Sequence, residues 1–159
     1  MATSVRSVDY FYTTVVDQPG EAASLLSMLK ESGVQLLAFS IVPTGATHTQ
    51  LMIFPEATEH LVTTARRAGL VLEGPQYAFL VQGDNELGAL CDYHQRLADA
   101  HINVFAASGV TDGRGGFGYI LYVKPEDFYR AAQVLGIRAS RVPPPPSRPE
   151  TPPPPSSRR

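Results

Sequence analysis

Two short stretches place polar side chains and a glycine between an apolar strand-like run and an apolar helix-like run. They are Asp17-Gln18-Pro19-Gly20 and Gly83-Asp84-Asn85-Glu86-Leu87-Gly88. A glycine-bearing turn of this kind allows close backbone approach and exposes amide N–H groups at a helix start, which suits a carboxylate. Asn85 offers a neutral amide that both donates and accepts, so it can serve an ammonium or a carboxylate. Asp17 repels a carboxylate and favours an amine. The same residue types also make ordinary turns and helix caps with no ligand at all.

Other chemistry is sparse. The four histidines, at 48, 60, 94 and 101, never fall four residues apart, and with a single cysteine they form no cluster of metal-ligand spacing. His94 and Cys91 sit in an apolar helical pattern and are expected to face the core. The acid pairs Asp84/Glu86 and Glu126/Asp127 stand at helix starts, where they complement the dipole. No phosphate loop or dinucleotide fingerprint is present. No catalytic residue, metal or cofactor is expected, so the chain is read as a non-enzyme.

Composition narrows the class further. The chain has 159 residues, 13 basic and 15 acidic side chains, and a net charge of −2. A balance this close to neutral argues against nucleic-acid or membrane-surface binding driven by charge. One cysteine cannot form an internal disulfide, which fits a reducing compartment. No apolar run approaches the ~20 residues that span a bilayer, and the opening MATSVRSVDYFY lacks signal-peptide layout. A cytoplasmic protein is expected. Nine of the 14 prolines lie between Pro143 and Pro155. Proline fixes φ and cannot donate a backbone hydrogen bond, so 143–159 is expected to be a disordered, extended tail. As a polyproline stretch it is a tether, or a docking peptide for a proline-recognition partner.

The body repeats. With an offset of 68, Gly20 falls on Gly88, Leu29 on Leu97, Ala38 on Ala106, Ser40 on Ser108, Val42 on Val110 and Gly45 on Gly113. The shared glycines are positions where backbone shape is dictated. Within the first copy the β-rich run 8–16 leads through the turn into a helix carrying Leu25, Leu26 and Leu29, which Gly33 ends. Strands 34–43 and 48–54 form a hairpin around Thr44-Gly45-Ala46-Thr47. Pro55 opens a second helix, and 70–73 begin a fourth strand. The second copy runs as strand 76–82, a helix from Leu87 through Leu97, strands 102–111 and 117–123, a helix opened by Pro125, and a closing strand at 137–142. The expected fold class is α+β: two ferredoxin-like βαββαβ domains, 1–74 and 75–142, with antiparallel sheets and helices on one face. The opposite sheet face then needs a partner, a ligand or water-tolerant side chains.

The repeated pattern, VVDQPGEAASLLSMLKESGVQL and VQGDNELGALCDYHQRLADAHINV, resembles the ACT domain family of amino-acid-sensing modules. The likeness spans about 130 residues. The first copy keeps the full Asp-x-Pro-Gly turn, whereas the second has Asn85-Glu86-Leu87-Gly88 and lacks the proline. The resemblance implies a tandem ACT protein whose copies pair side by side, with an amino acid held between one copy's first turn and the facing copy's second strand. Carried over by position, the turn polar residue is Asp17 or Asn85, and the second-strand amide is Gln35 or Asn103. Asn85 with Asn103 is the preferred pair.

These readings imply an allosteric regulatory module that binds an amino acid or related small metabolite and forms a homodimer. A structural or adaptor module working through its sheets and its proline-rich tail is one alternative. Another arises at Gly115-Gly116-Phe117-Gly118-Tyr119-Ile120-Leu121-Tyr122, which resembles the RNA-binding motif of the RRM family. There Phe117 and Tyr119 would stack on bases from the open sheet face.

Overall fold

A computed structural model of the chain describes residues 3–84, 86, 88–138, 142 and 143. Asn85, Leu87 and nearly all of the proline-rich tail lie outside the described residues, as does the middle of the expected closing strand 137–142. Among the described residues six strands and four helices follow in the order β1 (Ser4–Val16), α1 (Glu21–Glu31), β2 (Leu36–Pro43), β3 (His48–Pro55), α2 (Thr58–Ala68), β4 (Glu73–Asp84), α3 (Cys91–Asp99), β5 (Val104–Thr111), β6 (Gly116–Val123) and α4 (Phe128–Val134). A single 3-10 turn, Pro125–Asp127, leads into α4. All pairings are antiparallel, in one sheet of order β2-β3-β1-β4-β6-β5.

The architecture is α+β, as the periodicities predict, but the fourth strands differ from expectation. Residues 70–73 form no strand of their own, because the chain runs straight into β4 at Glu73. β4 then pairs with β1 from Ser4↔Gln82 to Tyr12↔Glu73. The order β2-β3-β1-β4 is that of a complete ferredoxin-like unit, and so is β5-β6-β4-β1. Each half therefore takes the other's first strand as its own fourth.

Strand parity sorts the side chains, since ladder partners share a face and neighbours along a strand alternate. Phe11, Leu51 and Ile53 face Leu25 and Leu29 of α1 and Leu61 of α2. Phe79, Val81, Leu121 and Val123 face Leu97 of α3 and Phe128, Ala131 and Ala132 of α4. Phe79 and Phe128 stack with centroids 4.5 Å apart. Residues of one parity of β1 serve both clusters, Val5 the second and Phe11 the first, so all four helices cover the same face. The Thr58 hydroxyl donates to Asp9 Oδ2 at 2.7 Å and ties the start of α2 to β1. Gly74 lies where β1 bulges between Tyr10 and Tyr12, and a Cβ there would come within 2.9 Å of Phe11.

The opposite face buries itself. Val8, Phe54, Ala78, Leu80, Ile120 and Tyr122 form its cluster, and Phe54 is completely buried. Tyr10 stacks on Phe54 at 5.1 Å and meets Tyr122 edge-on at 5.7 Å. The sheet curls around these rings, so the expectation of an uncovered face is corrected at its centre.

The helices end alike. The amide of Val34 donates to the Leu29 carbonyl and that of Ile102 to the Leu97 carbonyl. The left-handed position this cap requires is Gly33 in one half and His101, at φ 56°, in the other.

Candidate functional site

Both strand-to-helix turns exist, and they differ. In the first half Asp17, Gln18, Pro19 and Gly20 are all exposed. The Asp17 amide donates to the Thr47 carbonyl at 2.9 Å, Gln18 Nε2 donates to Glu21 Oε1, and Gly20 starts α1 at φ 98°. In the second half the chain leaves β4 at Asp84 and makes an extra turn before α3. Ala89 donates to the Glu86 carbonyl and Cys91 to the Gly88 carbonyl. The helix thus begins at Cys91 and not at Leu87.

This extra turn overhangs a hollow of 430 Å³. Glu86, Gly88, Ala89, Leu90 and Cys91 form one wall, and Gly109, Val110 and Thr111 from the end of β5 form another. Phe117, Gly118 and Tyr119 of β6 complete it. Ladder pairs Thr111↔Phe117 and Gly109↔Tyr119 put these side-chain positions on the helix-covered face. A Cβ on Gly109 would stand 2.6 Å from the Tyr119 ring, so glycine there lets the ring lie against β5. The Tyr119 hydroxyl is hydrogen-bonded to His94 Nε2 of α3 at 2.8 Å. Burial raises the Tyr119 phenol above its ordinary pKa, so it stays neutral at physiological pH.

A neighbouring hollow of 460 Å³ shares Leu90 and Cys91 and adds His94, Gln95 and Asn103. Asp84 pairs opposite Gly116 and lines a third, of 500 Å³, with Ser4, Gln82 and Asp112. The Asp112 carboxyl is held below its usual pKa, first by the Arg114 amide and then by that of Gly116. Among the described residues, no three His, Cys, Asp or Glu converge as a metal site.

The register separates residues that the sequence grouped. β5 begins at Val104 opposite Val123 and β2 at Leu36 opposite Pro55, both level with the middle of β1 and β4. Asn103 precedes β5 and stands seven steps of about 3.3 Å, roughly 23 Å, from Val110 in the wall of the first hollow. Asn85 lies outside the described residues, and Asn103 lines the neighbouring hollow with Leu90 and Cys91. Gln35 enters β2 level with the middle of β4 and three strands from it, about 14 Å across the sheet at roughly 4.8 Å per strand, with a further offset along the strands from the second turn. Neither Gln35 nor Asn103 lines the first hollow.

Cys91 and His94 are exposed, in contrast to the core positions expected for them. The core-facing positions are Leu97, which is buried, and the half-buried Leu90 and Tyr93, one position away. Phe117 and Tyr119 pack on the helix side with Leu121 and Val123, and so do not project from the open face as base stacking would require. The apolar alternation from Phe117 to Val123 carries that signal in the sequence. The lining glycine Gly109 and residues Val110 and Thr111 had no such signal, since their role depends on register.

No protein-family model matches the chain, and no curated protein matches it. Solved structures do. A protein from Bacteroides thetaiotaomicron superposes with a TM-score of 0.70 at 11% identity, covering 83% of this chain and 88% of that one. The ligand-free regulatory subunit of aspartate kinase from Thermus thermophilus gives 0.53 at 16%, covering 84% and 94%. That from Thermus flavus gives 0.50 at 16%, covering 85% and 94%. The fold is the ACT-like, ferredoxin-type α+β arrangement. No helix among the described residues is long and apolar enough to cross a membrane.

Proposed function

We propose that this chain is a non-catalytic regulatory module of the ACT type that binds an amino acid or related small metabolite. The observation that carries the reading is the hollow beneath the second turn. It is concave, mostly apolar and edged by a few polar groups, as small-ligand sites are. Glu86 and Gly88 line it, and Asn85 precedes them in the sequence. The second half thus supplies the working site, while the exposed first turn is secondary. The fold likeness to regulatory subunits of aspartate kinase supports a regulatory role.

In this reading residues 1–74 and 75–142 are duplicated units, and the whole chain associates as a homodimer. Among the described residues, the two edge strands, β2 and β5, leave one side of their backbones without a ladder partner. Phe105 and Val110 of β5 are exposed, and Val110 also lines the hollow. A second copy pairing on β5 would shield those side chains and wall the ligand in. Ligand binding then biases the pairing equilibrium by its differential affinity for the two states.

A thermal-shift screen of the twenty amino acids tests the reading. A ligand at 100 times its dissociation constant adds about 2.7 kcal/mol of stability. A rise in melting temperature with at least one amino acid is expected, and silence across the panel and related metabolites contradicts it.

A further inference from the structure

The hollow beneath the second turn has a chemical bias of its own, and a ligand class drawn from that bias rests on the small-metabolite reading. Of the described residues lining it, Glu86 alone carries a formal charge, and it is exposed. No lysine, arginine or histidine is among those lining residues. His94 reaches the Tyr119 hydroxyl from the neighbouring hollow, and its ring is not part of this wall. The Ala89 and Cys91 amides, which would greet a carboxylate at the helix start, already donate to the Glu86 and Gly88 carbonyls. The site therefore presents an acceptor for a cation and no ready cationic donor for an anion.

Its floor is flat and aromatic. The Tyr119 ring lies against Gly109, and Phe117 stands two residues along β6 on the same face. Planar groups gain from offset or edge contacts with such rings, and an ammonium gains from their electron-rich faces.

The geometry points to a primary amine bearing a planar apolar group as the ligand class, with its ammonium on Glu86 and its ring on Phe117 and Tyr119. An α-carboxylate adds little to this binding. Amino acids with aromatic side chains belong to the class through their amine and ring.

Calorimetric titration of the full chain with L-phenylalanine, phenethylamine, hydrocinnamate, L-lysine and L-aspartate tests it. Phenethylamine should bind within about threefold of phenylalanine, and hydrocinnamate, which lacks the amine, at least about tenfold more weakly. Glu86→Gln should weaken both amines by about tenfold or more. Its melting temperature should be unchanged, since the residue is exposed. If phenylalanine binds and phenethylamine does not, or if lysine or aspartate binds at least as tightly as phenylalanine, the ligand class is overturned while the amino-acid reading stands. Hydrocinnamate binding as tightly as phenethylamine, or an unaffected Glu86→Gln, also overturns it. Binding by none of the five, together with a silent amino-acid screen, overturns both.

Discussion

Phe54 on β3 and Tyr122 on β6 have two strands between them, yet their ring centroids are only 6.4 Å apart. In a flat sheet three strand spacings separate their backbones by about 14 Å. The sheet curls, and Tyr10 on the intervening β1 contacts both rings. This triad joins the two halves on the face away from the helices, while the β1–β4 ladder joins them through the backbone. Phe54→Ala is expected to cost about 3–5 kcal/mol, the range for truncating a fully buried aromatic. Urea unfolding measures it.

Tyr122 also makes stability depend on alkaline pH. Burial, followed by the charge of Tyr10, pushes its phenol up to about 12. A pKa raised on folding means that the stability is fully present below the unfolded value and is lost as pH rises through the folded one. The unfolding midpoint should fall between about pH 10 and pH 12. In Tyr122→Phe the fall should be shallower, with the remainder due to Tyr10 and Tyr119, which burial also raises.

Mutual completion of the sheet predicts that neither half folds by itself. Residues 1–74 lack β4, and with it the partner of β1 from Ser4 to Tyr12. A fragment of that length is expected to be unfolded or aggregated as judged by circular dichroism and sedimentation. Mixing it with 75–159 should restore structure.

Much of this was readable from residue patterns, and the reasons for success and failure differ. The helices carrying Leu25, Leu29 and Leu97 and the hairpin at Thr44–Thr47 follow from local periodicity and turn chemistry. The strand placed at 70–73 did not form, because Glu73 continues into β4 and the cross-half ladder satisfies the backbone that a separate fourth strand would have satisfied. His94 and Cys91 lie one position from the core-facing Leu90, Tyr93 and Leu97, a difference of one residue that apolar periodicity alone does not resolve on so short a helix. Turn residues such as Glu86 and Gly88 announce themselves by type. Gly109 and Tyr119 come to face them only through register, which one sequence does not encode locally.

His101 stands where the equivalent first-half residue is Gly33, with a left-handed backbone at φ 56°. A residue with a Cβ is disfavoured there relative to glycine. His101→Gly is expected to raise stability by about 0.5–1 kcal/mol, against the usual sign for introducing glycine. Chemical denaturation reads the difference.

Gly109→Ala should do the reverse. The new methyl would meet the Tyr119 ring at 2.6 Å, and that ring is tied to His94. Overpacking of this kind costs about 1–3 kcal/mol. A ligand seated in the hollow should also lose affinity, because the ring must move into its space.

The functional reading stands on a small amine-bearing metabolite occupying the hollow between the second turn and the ends of β5 and β6. Amide chemical-shift mapping during titration with the tightest hit of the amino-acid screen reports that occupancy residue by residue. Saturable shifts are expected, concentrated at Glu86, Gly88–Cys91, Gly109–Thr111 and Phe117–Tyr119. Shifts confined to Asp17–Gly20, or spread over the helix surfaces while those residues stay still, would rule the occupancy out.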